Sequence, residues 1–169
     1  MKVEMMGKKI LIIGCPGSGK SYLGKRLADK TKIPCFHIDN LYWNNDKTHV
    51  DRDELIKKYQ DIFCLDEFIL EGNYQGTLEY RVKYADTIIY LDLPLEDCIE
   101  GIKKRTNKER FDIPWIQTEV DADNLIDWIK EFDVREKPVI IDIINSFKGE
   151  VITLHNKEEV NEYLKRGIV

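Results

Sequence analysis

The chain has 169 residues, 43% of them hydrophobic and 34% charged, which suits one folded domain and excludes a disordered chain. A net charge of −5 argues against a surface built to grip nucleic acid directly. Four cysteines without a CxxC pair exclude the common zinc frameworks. No apolar run reaches the ~20 residues of a membrane span, and residues 1–9 are too short and polar for a signal peptide, so the expected address is the cytoplasm.

Residues 8–13 hold the run Ile10-Leu11-Ile12-Ile13, short, wholly apolar and β-branched, as in a strand buried on both faces. Residues 19–32 place Leu23, Leu27 and Ala28 on one side and charges elsewhere, an amphipathic helix stopped by Pro34. Cys35-Phe36-His37-Ile38 reads as a second strand ending at Asp39, and residues 41–48 as an aromatic, polar loop. A helix over 51–64 carries the stripe Leu55, Ile56, Tyr59, Ile62 and Phe63. Phe68-Ile69-Leu70-Glu71 is a third strand, 77–84 a short helix, and 87–93 a fourth strand closed by Pro94, which opens a helix to about Arg105. Residues 106–120 are polar and read as a mobile, lid-like connection. Leu125, Trp128, Ile129 and Phe132 predict a helix over 121–132; Ile140, Ile143, Ile144 and Phe147 favour a helix over 138–147, although Val139-Ile140-Ile141 also suits a strand. A last strand at 150–154 and a last helix at 157–165 complete an alternation that implies a parallel sheet covered on both faces.

Gly14-Cys15-Pro16-Gly17-Ser18-Gly19-Lys20-Ser21 matches the pattern G-x-x-x-x-G-K-[ST] between the first strand and the first helix, where its mechanism requires it. The glycines let the backbone approach phosphate oxygens, the N–H groups form an anion nest, and the helix N-terminus adds partial positive charge. Lys20 is expected on the β- and γ-phosphates and the Ser21 hydroxyl on Mg²⁺; Tyr22, next on the helix, joins the nucleotide-binding set. Cys15 reads as a small filler inside this loop.

Ligands of an open parallel sheet bind beyond the carboxyl ends of the strands, where Asp39, Glu71 and Asp92 fall. Asp39 is the leading candidate for base or metal ligand, with a helix cap or turn as its other reading. Asp92 ends a run like a Walker B strand and is a second candidate metal ligand, the rival role being a structural turn before Pro94; Glu71 is a third acid of the same kind. Among the basic residues, Arg81 follows the third strand, and Arg105 with Arg110 cluster in the lid-like connection. Tyr42, Trp43 and Tyr74 either wall an acceptor pocket or belong to the core.

The phosphate loop, His37-Ile38-Asp39-Asn40-Leu41-Tyr42-Trp43, Phe68-Ile69-Leu70-Glu71-Gly72-Asn73-Tyr74 and Ile89-Tyr90-Leu91-Asp92-Leu93-Pro94 together resemble a bacterial branch of adenylate-kinase-like proteins, often labelled DNA topology modulation proteins. The resemblance covers roughly the first 105 residues. It implies a three-layer P-loop NTPase fold of the nucleoside-monophosphate-kinase type, with a five-stranded parallel sheet in the order 2-3-1-4-5. It implies ATP as donor, Asp39 near metal or acceptor, Arg81 facing the acceptor, and Arg105 with Arg110 closing over the donor phosphates. Adenylate kinases proper carry Asp-Gly-Phe-Pro-Arg after the third strand, whereas this chain has Glu71-Gly72-Asn73-Tyr74 and lacks the AMP-binding arginine of that motif. The expected function is transfer of the γ-phosphate of ATP–Mg²⁺ to a nucleotide or other small hydroxyl or phosphate acceptor, by a monomer or homodimer. The alternatives are a nucleotide-binding regulatory protein and an NTPase without an acceptor.

Overall fold

The structure is a computed structural model and describes residues 7–166; the first six residues of the leading polar segment lie outside the described residues. Five strands form one parallel sheet: β1 (Lys9–Gly14), β2 (Cys35–His37), β3 (Phe68–Glu71), β4 (Thr87–Leu91) and β5 (Glu150–Leu154), in the order β2-β3-β1-β4-β5. The expected strand order is the observed one.

Alternation along the strands builds the layers. Leu11, Ile13, Phe68, Leu70, Ile88 and Tyr90 face one core, and Ile10, Ile12, Ile69, Ile89 and Leu91 face another. The second core is closed by Leu23 and Leu27 of α1 (Lys20–Thr31) and by Val160 and Leu164 of the last helix, Lys157–Lys165. The first is closed by α3 (Arg52–Phe63), α5 (Leu95–Arg105), α6 (Glu119–Ile129) and α8 (Lys137–Ser146), through Leu55, Tyr59, Cys98, Ile102, Ile129 and Ile140 among others. β1 is central, with Ile10 to Ile13 wholly buried, which explains its unbroken apolar run.

Two local readings change, and one left between helix and strand is settled. The second strand ends at His37, and Asp39 sits in the first turn of a short helix, α2 (Ile38–Tyr42). The helix expected over 121–132 starts earlier, because Thr118 and Asp121 form a reciprocal capping box; it ends at Ile129, and a separate turn, α7 (Phe132–Arg135), follows. Residues 138–147 are helical, with Pro138 in the first turn of α8 where its missing N–H costs nothing. A short α4 (Leu78–Arg81) occupies the region expected to be helical after β3. No helix among the described residues is long and apolar enough to cross a membrane.

Candidate active site

The loop between β1 and α1 turns through three positive-φ glycines, Gly14 (156°), Gly17 (83°) and Gly19 (94°). No side chain caps the start of α1 and no acid lies in its first turn, so its N–H groups face an open cleft. Two other elements brace the loop. Gly14 N–H donates to Asn73 Oδ1 at 2.9 Å. Gly101 of α5 packs so closely that a Cβ there would stand 2.1 Å from the Gly17 carbonyl oxygen. Cys15 is buried beside Cys98 of α5, and the hydrogen bond with Cys98, followed by burial, pushes its thiol pKa up. Its side chain is therefore a filler, and only its backbone serves the loop.

Lys20 folds back and donates to the carbonyls of Gly14 at 2.9 Å and Cys15 at 3.1 Å. Burial lowers its pKa, opposed by the carboxylate of Glu71. The Ser21 hydroxyl lies 2.8 Å from Glu71 Oε1 and 2.6 Å from Asp112 Oδ2. One hydroxyl proton cannot serve both acids at once, so a compact set of hard oxygen donors surrounds Ser21. His37 Nδ1 meets the same Glu71 oxygen at 2.8 Å. Asp112 is clasped by Arg110 through two N–H groups on one guanidinium edge, with Nε to Oδ1 at 2.9 Å. Burial would raise the Asp112 carboxyl, but Arg110 and the bonds from Arg110 and Ser21 outweigh it and hold it below the usual range.

Asp39 lines the same cleft and accepts from the Tyr74 phenol at 2.7 Å. Burial raises its pKa; the Tyr74 bond and Lys20 oppose that, while the carboxylates of Glu71 and Asp112 reinforce it. Beyond Asp39 the wall is aromatic. Tyr42 packs on Tyr74 with ring centres 4.7 Å apart, and Trp43 meets Trp115 edge-on at 5.6 Å. The whole cleft measures about 1360 Å³, ample for a nucleotide and a second small molecule.

No family model matches the sequence. The chain is 26% identical over 110 residues to the adenylate kinase isoenzyme 6 homolog of Caenorhabditis elegans, covering 59% of this chain and 60% of that protein. It is 29% identical over 104 residues to the uncharacterized protein YqaC of Bacillus subtilis (strain 168), covering 59% and 57%. The matched region thus spans less than two thirds of either relative. Among solved structures, shikimate kinase from Bacteroides thetaiotaomicron superposes with a TM-score of 0.57 at 13% identity over 95% of this chain and 96% of that one. Shikimate kinase from Acinetobacter baumannii in complex with shikimate gives 0.59 at 17% identity over 96% and 91%. The chain shares the fold of these small P-loop kinases.

In this P-loop kinase-like frame, Lys20, Ser21, Tyr22, Asp39, Arg105 and Arg110 line one cleft, as their positions in the sequence imply. Two expected site residues do not. Arg81, expected to face the acceptor, is wholly buried. Its guanidinium donates to the carbonyls of Gly72 (3.0 Å), Asn73 and Tyr74 (3.3 Å) and to Thr77 Oγ1 (3.1 Å). Asp92, expected near the metal, lies outside the cleft and pairs with Lys137 at 2.7 Å. β4 brings Asp92 alongside β5, with its N–H on the Leu154 carbonyl, and so away from Ser21.

Glu71, weighed in the sequence as a third strand-end acid, enters the site, and so do Asn73, Asp112 and Trp115, which the sequence reading left out of it. Glu71 had a readable signal: it ends a strand paired directly with β1, opposite Ile12, and so stands next to the phosphate loop. Asp112 and Trp115 sit in residues 106–118, which carry no periodic pattern. This segment is pinned across the cleft by Asn40 Nδ2 on the Phe111 carbonyl (2.8 Å) and by Gln117 Nε2 on the Ile102 carbonyl (3.2 Å).

Proposed function

We propose that this protein transfers the γ-phosphate of ATP–Mg²⁺ to a small acceptor whose hydroxyl is presented to Asp39. The observation that carries this reading is the convergence of Lys20, Ser21 and Asp39 in one cleft. Lys20 exchanges its two carbonyl partners for β- and γ-phosphate oxygens. The open N-terminus of α1 and the glycine-rich backbone hold the same phosphates.

Among the described residues, no group of three or more His, Cys, Asp or Glu could hold a metal by itself. Ser21 with Glu71 and Asp112 nonetheless offers an oxygen-only donor set of the type Mg²⁺ takes alongside phosphate and water. When bound there, Mg²⁺ supplies charge neutralisation on the transferring phosphates. Asp39 accepts the proton of the acceptor hydroxyl, the acceptor oxygen bonds to the γ-phosphorus, and the bond to the β-phosphate bridging oxygen breaks to release ADP. A carboxylate pushed up by burial suits that proton transfer better than an exposed one. The buried Arg105 Nε–H has no partner, and burial, then Arg110, pull its pKa down to about 10. A phosphate oxygen satisfies that donor and offsets the crowding of the two guanidiniums.

Titration calorimetry with ATP and Mg²⁺ tests the donor site. Lys20→Ala lowers ATP affinity by about tenfold or more, as expected for loss of a charge-assisted contact. Asp39→Asn keeps ATP affinity and loses about 10²–10⁴-fold in acceptor-dependent ADP release. Equal ATP affinity in wild type and Lys20→Ala would overturn the reading.

A further inference from the structure

The charges around the aromatic half of the cleft define what it admits. Most cations lining the cleft belong to its phosphate end. Lys20 is on the loop, Lys104 and Arg105 close the helix that packs on Gly17, and Arg110 is clasped to Asp112. On the aromatic side the lining cation is Lys47, and it is already engaged: its ammonium sits 2.7 Å from Asp121 Oδ2 and 4.8 Å from the centre of the Trp115 ring. Asp39, Asp121 and Glu136 add carboxylates to the lining of the cleft. Arg81, the guanidinium that sequence position offered to an acceptor anion, is spent on three loop carbonyls.

A phosphate or carboxylate held between Trp43 and Trp115 would therefore leave water where the lining cation, Lys47, is already paired with Asp121, while the unpartnered Arg105 Nε–H is taken by the donor phosphate in the reading above. Burying a charge without a paired partner is among the costliest events in a protein interior. The same wall suits a flat ring. Trp43 and Trp115 stand at 88° to each other and form a corner that offers a ring one face and one edge. Trp115 also carries a buried indole N–H with no partner in the protein.

Resting on the phosphotransferase reading above, we infer that the acceptor is an uncharged, hydroxyl-bearing heteroaromatic compound of the nucleoside class, free of phosphate and carboxylate. Its ring lies in the Trp43–Trp115 corner, with a polar ring atom on the Trp115 N–H, and its hydroxyl points to Asp39. The charge pattern, and not the size of the cleft, sets this preference.

The test uses the whole chain, saturated with ADP and Mg²⁺ so that the donor site is filled. Quenching of tryptophan fluorescence is followed on adding each of the four common ribonucleosides and, separately, its 5′-monophosphate. At least one nucleoside is expected to bind, and its monophosphate to bind about tenfold more weakly or worse. Asp121→Asn releases Lys47 and narrows that gap; Trp115→Phe keeps a ring but removes the N–H, and weakens the nucleoside by about fivefold or more. A monophosphate that binds more tightly than its parent nucleoside overturns the inference. So does a wild-type protein that binds ADP but none of the nucleosides. Neither result touches the phosphotransferase reading, which fails separately if wild type and Lys20→Ala hold ATP equally.

Discussion

The Tyr74 phenol donates to Asp39 Oδ1 at 2.7 Å from a backbone held in the left-handed region, with φ of 32°. A non-glycine residue rarely rests there, and such positions persist where the surroundings over-determine them. Here Arg81 binds the Tyr74 carbonyl and Tyr42 packs on its ring. The bond lowers the Asp39 pKa against the larger effect of burial. Tyr74→Phe removes that restraint, so the Asp39 carboxyl rises further. The acidic limb of the acceptor-dependent rate then moves to higher pH, while rates well above both values converge. A pH profile of ADP release in wild type and variant checks this; an unmoved acidic limb counts against Asp39 as the base.

The same carboxyl makes stability depend on pH. The folded-state pKa of Asp39 is raised, so the folded protein holds this proton to higher pH than the unfolded chain does. Its contribution is present at low pH and is lost as pH rises from the ordinary carboxylate range through the raised folded value. Asp39→Asn escapes that loss. The variant is expected to melt above wild type at about pH 8, and the difference to shrink as pH falls towards about 4. Thermal melts across that range decide it, and a gain that grows on acidification contradicts the burial of Asp39.

Arg81 is a structural residue on this geometry. Its four hydrogen bonds hold the segment from Gly72 to Thr77, which in turn presents Asn73 to the phosphate loop and Tyr74 to Asp39. Burial lowers its pKa to about 10, with Tyr59, Glu71 and Tyr74 opposing. Arg81→Met strands three backbone carbonyls and is expected to cost roughly 3–5 kcal/mol in urea unfolding. A cost below about 1 kcal/mol would return Arg81 to the list of ligand-facing residues.

These residues also show where the sequence was legible. The phosphate loop and the five strands follow from local pattern: glycines that need positive φ, and short apolar runs buried on both faces. Glu71 and Asp92 looked alike because both end apolar strands, and only the lateral order of the sheet separates them. β3 sets Glu71 beside Ser21, while β4 turns Asp92 towards Lys137. Arg81 read as an acceptor-facing cation because burial of a guanidinium depends on carbonyls supplied by a turn with no periodicity. Asp112 and Trp115 lie in a segment without pattern, placed by contacts from distant elements, such as Asn40 on the Phe111 carbonyl.

Gly101 tests whether α5 sets the shape of the phosphate loop. Inside a helix, alanine is favoured over glycine by about 0.8–1 kcal/mol, so propensity alone predicts that Gly101→Ala stabilises. The contact predicts the reverse. The added Cβ would stand 2.1 Å from the Gly17 carbonyl oxygen, 3.0 Å from its carbon and 3.2 Å from its Cα. All three are backbone atoms, and Gly17 already holds a φ of 83°, so the loop cannot yield by turning a side chain. The clash exceeds the propensity gain, because α5 or the loop must move bodily. Gly101→Ala is expected to lower the melting temperature and to weaken ATP binding by about tenfold, since the nest of N–H groups loses its alignment. Gly76 is the control: it is exposed, a Cβ there meets nothing within 4 Å, and Gly76→Ala should leave ATP affinity unchanged. ATP affinity preserved in Gly101→Ala would mean that the phosphate loop takes its shape without α5.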